Sequence, residues 1–372
     1  MRMMDGSDGR IRGFDGLRAI AFILVFLSHK FPMEPIEAMG TIGVWLFFVL
    51  SGFLITRNLA SHRAAIEQGR DSVLGALKDF YIRRTARIFP AYYALLIVAT
   101  VLASRGRVNL GPEGRQLSNL FFVSNVYIER NGWVGALGHL WSLAVEEQFY
   151  IFFAPLVLLT PLARLKQLCL AVLAVSIAAN GYHVWKGSWF VTFDVNSFIN
   201  FGLLALGGLA GLSAGKPLPQ RLASDAAMAV CLVLTPLIPP LLSGEQNAGL
   251  LMFGRVLGVL YALLLLQIVQ RQDSPVVGFL ETPVLRHIGL VSYGAYLYHL
   301  MSFQGLLSLL HLPIEAPYLV SVAAEFVLTM VVATASYRLM EQPIRNLARR
   351  RRPAPRPAMA EPPAAERIPG AE

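Results

Sequence analysis

Residues 41–60 read TIGVWLFFVLSGFLITRNLA, and Arg57, near the end, is the one charged side chain among them. A helix rises about 1.5 Å per residue, so twenty residues of this kind span the roughly 30 Å hydrocarbon layer of a bilayer. A soluble core helix needs no such length of unbroken apolar chain, and this stretch therefore reads as a membrane span.

Similar windows flank it on both sides. They fall at Phe14–Phe31, Phe89–Ser104, Leu140–Leu162, Leu168–Val184, Val195–Ser213, Ala226–Ser243, Gly249–Val269, Ile288–Leu310 and Tyr318–Met340, which makes ten with Thr41–Ala60. The Phe89–Ser104 window is short, the Ala226–Ser243 window holds Pro236, Pro239 and Pro240, and Leu117–Tyr127 is apolar enough for a re-entrant or interfacial piece. The expected fold is an all-α, polytopic membrane bundle of about ten helices over residues 1–350. Residues 351–372, rich in Pro, Ala and Glu, cannot bury a core and are expected to be a disordered tail. The first window lacks a small-residue cleavage site, so a retained span is expected rather than a cleaved signal peptide.

Composition agrees. The 372 residues are 55% apolar and 15% charged, against about 25% charged in soluble domains, and the mean hydropathy is +0.54. Such a chain could not cover a soluble enzyme's surface, nor is it polar enough to be disordered. The net charge of +9 would suit nucleic acid, but the basic residues border apolar windows, as positive-inside markers and phosphate contacts do. Nucleic acid is excluded as a partner on that ground, and the bilayer is the expected one. The Arg57–Arg87 connection holds Arg57, Arg63, Arg70, Lys78, Arg83, Arg84 and Arg87, and later loops on that side add Arg164, Lys166, Lys216, Arg221, Arg271 and Arg286. The opposite loops are poorer in Lys and Arg. Both termini are expected in the cytoplasm, with the bundle in the inner (cytoplasmic) membrane. Cys169 and Cys231 lie inside apolar windows, with no disulfide framework and no metal-ligand spacing.

Ionisable side chains inside a span cost roughly 2.5–3.5 kcal/mol each and need a reason. Arg18 and His29 are eleven residues apart, about 20° past three full turns, so they share a helix face about 16 Å apart along the axis. A headgroup anchor and an interhelical hydrogen bonder would fit them as well as a functional pair. His139, Ser142, Glu146 and Tyr150, spaced three, four and four, form one polar stripe, with Glu147 on a less polar face. Ser292, Tyr296 and His299 recur on one face at i, i+4 and i+7, a pattern that interhelical glue also produces. Arg84 and Arg87 offer two guanidinium forks at a span entrance, suited to a multiply charged phosphate ligand or to lipid headgroups. Arg338 and Glu341 suit a local ion pair, with Pro343 expected to stop the helix.

Taken in order, these stretches resemble the acyltransferase 3 family of integral membrane O-acyltransferases. The matching elements are Phe14-Asp15-Gly16-Leu17-Arg18 with His29, and Gly43 to Ile55. Arg84-Thr85-Ala86-Arg87 and Trp141-Ser142-Leu143 through Glu146 to Phe149-Tyr150 follow. Ser292-Tyr293 with Tyr296-Leu297 and His299, then Glu341-Gln342-Pro343, complete the set. The resemblance implies a cytoplasmic acyl-CoA donor, acetyl-CoA foremost, and transfer to a hydroxyl of a glycan, glycolipid or small acceptor. Some members carry a fused hydrolase-like domain; the expectation here is a stand-alone form.

Thioester-to-hydroxyl transfer needs a base, and an imidazole such as His29 is the usual choice. Glu146 could orient or charge-balance it. Arg18 is grouped with these two as catalytic. Arg84, Arg87, Ser142, Tyr150, Ser292, Tyr296 and His299 are the expected substrate-binding set, and no metal is expected. Acceptor and thioester could react directly or through a histidine-bound acyl group. A transmembrane acyl conduit and a proton-coupled transporter are rival readings of the same buried residues, although no internal repeat supports the latter.

Overall fold

The computed structural model describes residues 10–31, 33, 36–133, 135–188, 190–242, 248–301 and 318–351. All regular structure among them is helical. The helices are α1 (Phe14–Lys30), α2 (Ile36–Glu67), α3 (Val73–Ser104), α4 (Glu113–Leu120), α5 (Ser124–Asn131), α6 (Trp141–Leu159), α7 (Leu165–Lys186), α8 (Phe190–Val195) and α9 (Ser197–Ser213). They continue as α10 (Asp225–Leu242), α11 (Ala248–Gln270), α12 (Pro275–Leu280), α13 (Pro283–Leu290), α14 (Ser292–Tyr298), α15 (Tyr318–Ser336) and α16 (Gln342–Arg351). Five helices, 22 to 33 residues long, are long and apolar enough to cross a membrane; three further apolar helices are shorter, at Ser197–Ser213, Asp225–Leu234 and Val256–Gln270. The chain is a multi-pass helical membrane protein. Residues 302–310 of the ninth window, and the expected tail beyond Arg351, lie outside the described residues.

Helix α2 is the central post, and its mutual approach with α9 is set by glycine. A Cβ on Gly52 would stand 1.9 Å from the Leu204 carbonyl oxygen, and one on Gly207 would stand 2.0 Å from that of Val49. Backbones this close need small residues on both helices, the usual solution in lipid, where no hydrophobic force drives helices together. Helix α1 packs in the same manner on α13, where a Gly289 Cβ would meet the Asp15 carbonyl oxygen at 1.8 Å.

Three expectations are corrected. The basic Arg57–Arg87 stretch is not a loop: α2 runs on to Glu67 and α3 starts at Val73, leaving only 68–72 as a turn. The charges tolerate helix because Arg83, Arg84 and Arg87 face an internal cavity rather than lipid. Consequently the short window at Phe89–Ser104 is the second half of a 32-residue helix. Pro343 does not end the last helix. Residues Tyr337–Glu341 form a π-turn that leads directly into α16. A π-turn is wider than an α-turn, which relieves the clash of a proline ring with the preceding carbonyl. The expected Arg338–Glu341 pair is also absent: Arg338 is exposed, while buried Glu341 accepts from Ser336 Oγ at 3.0 Å and faces the charges of Arg87 and Arg345.

The Leu117–Tyr127 piece forms parts of α4 and α5 with Phe122, at φ +55°, between them. Its irregular backbone is satisfied from within, as it must be beside lipid. Fully buried Arg115 donates to Ser124 O (3.2 Å) and Leu137 O (3.1 Å), and Gln148 donates to Phe122 O (2.8 Å). Arg115 thereby fixes the turn that leads into the short 3₁₀ segment Gly138–Leu140, which carries His139.

Candidate active site

A cavity of about 300 Å³ lies among α1, α2, α3, α6, α14 and α16. Its walls carry Arg18, Arg83, Arg84, Arg87, Arg345 and Arg349, and Glu146 is the carboxylate among the lining residues. The six guanidinium groups outnumber the carboxylates near them, Asp15, Asp79, Glu146 and Glu341, so the cavity carries a net positive charge that favours an anion.

Each arginine is held by the fold. Asp15 accepts from Arg18 at 2.8 Å and from Arg10 at 2.9 Å, and Arg10 in turn meets both Glu281 oxygens at 2.7 and 2.8 Å. Arg83 lies 2.9 Å from Asp79, which also stands 3.5 Å from His62. Arg84 stacks on the Tyr150 ring at 4.0 Å, a cation–π contact that orients its fork. Arg87 sits within electrostatic range of Arg18, Arg84 and Arg345. The π-turn before α16 sets the register in which Arg345 and Arg349 reach the cavity.

The floor is polar but not basic. Glu146 accepts from Ser51 Oγ and Tyr150 OH, both at 2.8 Å. Tyr296 OH and Ser142 Oγ lie 2.6 Å apart, and both reach the His139 carbonyl, at 2.8 and 3.3 Å. Ser292 also lines the cavity. Tyr293 OH donates to Ile88 O at 2.6 Å and ties α14 to α3.

Behind Tyr296 stand three imidazoles. Ring centroids are 5.1 Å apart for His139 and His299, and 5.0 Å for His299 and His29. His299 is 1% and His139 3% exposed, whereas His29 is exposed on α1. His29 Nδ1 lies 2.8 Å from Val25 O.

Of the sequence-predicted residues, the cavity therefore unites Arg18, Arg84, Arg87, Ser142, Glu146, Ser292 and Tyr296, with Tyr150 directly behind Glu146 and Arg84. His29 and His299 do not line it; they belong to the imidazole cluster. Sequence reasoning missed Ser51, a lone small polar residue in an apolar run. It also left Arg83, Arg345 and Arg349 out of the substrate-binding set, although each lies within about a turn of another cavity arginine. Among the described residues, no set of three His, Cys, Asp or Glu side chains is arranged to hold a metal ion.

A polytopic helical bundle with an arginine-lined cavity beside buried hydroxyl, carboxylate and imidazole groups places the chain in a class: helical membrane proteins with a polar, basic site inside the bundle. The chain belongs to the acyltransferase 3 family, whose acyltransferase domain matches residues 11–338. It is 30% identical over 370 residues to a putative O-acetyltransferase of Staphylococcus aureus (strain COL), covering 90% of this chain and 57% of that protein. It is 29% identical over 369 residues to the peptidoglycan O-acetyltransferase OatA of Listeria monocytogenes, with 90% and 56% covered. The putative peptidoglycan O-acetyltransferase YrhL of Bacillus subtilis is 30% identical over 370 residues, with 90% and 55% covered. The chain thus spans just over half the length of these curated relatives. No solved structure matches it.

Proposed function

We propose that the protein is an O-acyltransferase that takes an acetyl group from acetyl-CoA bound in the arginine-lined cavity and passes it to a hydroxyl of a cell-wall glycan. The observation that carries this reading is the cavity itself, whose lining combines six arginines with Ser142, Glu146 and Tyr296. Coenzyme A is a polyanion with a long neutral arm ending in the reactive sulfur. Its phosphates suit the guanidinium forks, and the arm suits the stretch lined by Val44, Phe47, Phe48 and Leu54. The thioester then reaches Tyr296.

In the transfer, the acceptor oxygen forms a bond to the acetyl carbon, the carbon–sulfur bond breaks, and coenzyme A leaves as thiolate. His29 takes the hydroxyl proton as general base. Proton return to the thiolate completes the balance as free thiol. Glu146, held by Ser51 and Tyr150, balances the arginine charge next to the thioester rather than pairing with His29. The peptidoglycan acceptor is supported by the names of OatA and YrhL, and the donor by the cavity's charge. The arginine-lined end faces the cytoplasm, where acyl-CoA resides.

The separation of Arg18 from His29 along α1 means that the acetyl group passes from one end of the bundle toward the other. Full-length protein in nanodiscs, given radiolabelled acetyl-CoA and the peptidoglycan disaccharide, should yield labelled ester. Label that crosses the membrane without forming ester would instead favour a conduit.

A further inference from the structure

The two buried histidines have a polarity that the transfer so far does not use. A backbone carbonyl only accepts, so a ring nitrogen bonded to one must carry the proton. His139 Nε2 spends its N–H on Leu297 O at 3.2 Å, and His299 Nδ1 spends its own on Tyr296 O at 2.7 Å. In each neutral ring the second nitrogen is then a bare lone pair. His139 Nδ1 and His299 Nε2 are indeed buried and have no hydrogen-bond partner among the described residues. Two neighbouring buried acceptors that no protein donor meets are satisfied by a water or by a ligand's hydroxyl groups.

The missing partner must bring O–H or N–H donors. It cannot be an anion, which the arginine cavity would hold instead, and no metal-holding arrangement exists among the described residues. The nearest opening on the side away from the cavity arginines adjoins the chain just past His299. Leu300 and Met301, the residues after His299, line a second cavity of about 280 Å³ with Arg107, Asn109, Gly135 and Ala136. Arg107 lies just past the end of α3, whose run from Arg87 to Ser104 rises about 25 Å. Tyr296, whose ring centroid is 5.6 Å from His139 and 5.7 Å from His299, stands between the two compartments.

We propose that His139 Nδ1 and His299 Nε2 form the seat for the acceptor's hydroxyl groups, entered through this second cavity, on the opposite side of Tyr296 from the donor. The inference rests on the O-acyltransferase reading and gives that reading an acceptor subsite. The ligand class is a neutral polyol, a sugar ring with adjacent hydroxyls. His29, at the next ring position, then stands at the edge of the seat where it can receive the proton.

The test uses substitutions that keep each structural hydrogen bond and delete only the bare nitrogen. The amide of Gln places its N–H where His139 Nε2 lies, and that of Asn where His299 Nδ1 lies. With the full chain in nanodiscs, His139→Gln and His299→Asn should each raise the KM for the peptidoglycan disaccharide about tenfold, the scale of a lost hydrogen bond in a buried site. Affinity for acetyl-CoA should not change. A purely structural role predicts an unaltered disaccharide KM in both variants, and that result overturns the proposal. A second readout needs no variant and no turnover: diethylpyrocarbonate attacks bare imidazole nitrogens, and the disaccharide should slow modification of His139 and His299 in the wild type. Lack of reaction, or reaction the disaccharide does not slow, also overturns it. Wild-type protein that binds acetyl-CoA but makes no ester would instead sink the O-acyltransferase reading, a separate outcome.

Discussion

At the scale of single residues, the division of labour is between charge and proton transfer. Arg84 and Arg87 face the cavity from one helix, and hydrogen bonds to charged groups are worth about 1.5–3 kcal/mol each, or about 10- to 150-fold in affinity. Arg84→Ala or Arg87→Ala should therefore raise the apparent KM for acetyl-CoA by that order and largely spare kcat, provided the contacts persist through the transition state. Steady-state kinetics with varied acetyl-CoA checks this; a fall in kcat with an unaltered donor KM contradicts it. His29→Ala should behave in the opposite way, losing a factor of about 10² to 10⁴ in turnover with donor affinity intact. Helical spacing made the cavity residues on α3, α6 and α14 legible, since i, i+3 and i+4 positions share a face. The offset of Arg18 and His29 along one face of α1 was legible too, but that Arg18 lines the cavity and His29 does not depends on the helices packed against each. Ser51 was illegible for another reason: its partner Glu146 is 95 positions away, and only the packing of α2 on α6 joins them.

At the scale of elements, the cavity depends on how closely α2 approaches α9, because α2 carries Ser51, Leu54 and Asn58 on its cavity side. The Gly52–Gly207 crossing leaves no room for a methyl group. Gly52→Ala must separate the helices or bend one, and overpacking of this kind costs about 1–3 kcal/mol. A lower melting temperature in detergent should accompany weaker acetyl-CoA binding, because the same shift moves Ser51 away from Glu146. Wild-type stability in this variant would mean that the crossing is looser than described. The apolar windows located most of the helices from sequence alone. They failed where a charged stretch was helical because its charges faced inward, as at Arg83 to Arg87. They failed again at Pro343, where the π-turn accommodates a residue that usually ends a helix. The ninth window is likewise divided: α13 and α14 meet at Val291, a break that places Tyr296 and His299 between the compartments.

On the scale of the whole molecule, orientation and chemistry depend on each other. Helix α3 is 32 residues long, about 48 Å of rise against a hydrocarbon thickness of about 30 Å, so its two ends emerge on opposite sides. Its first half bears the donor-site arginines and its last turn approaches the second cavity. Acyl-CoA is a cytoplasmic metabolite and the cell-wall glycan lies outside, so the proposed reaction requires the 68–72 turn before α3 in the cytoplasm and Ser104 outside. Arg63, Arg70, Lys78, Arg164 and Lys166, none of which lines the cavity, favour the same orientation by the positive-inside rule. Cys169 and Cys231 are both buried, which leaves the background low for single engineered cysteines at exposed positions. Gln68 and Ser104 are both exposed, and neither carries a charge that sets topology. A membrane-impermeant maleimide applied to intact cells should label Ser104→Cys and spare Gln68→Cys, and permeabilised cells should show both labelled. The reverse pattern would put six arginines on the side of the membrane that lacks acyl-CoA, and the donor assignment would fall together with the orientation.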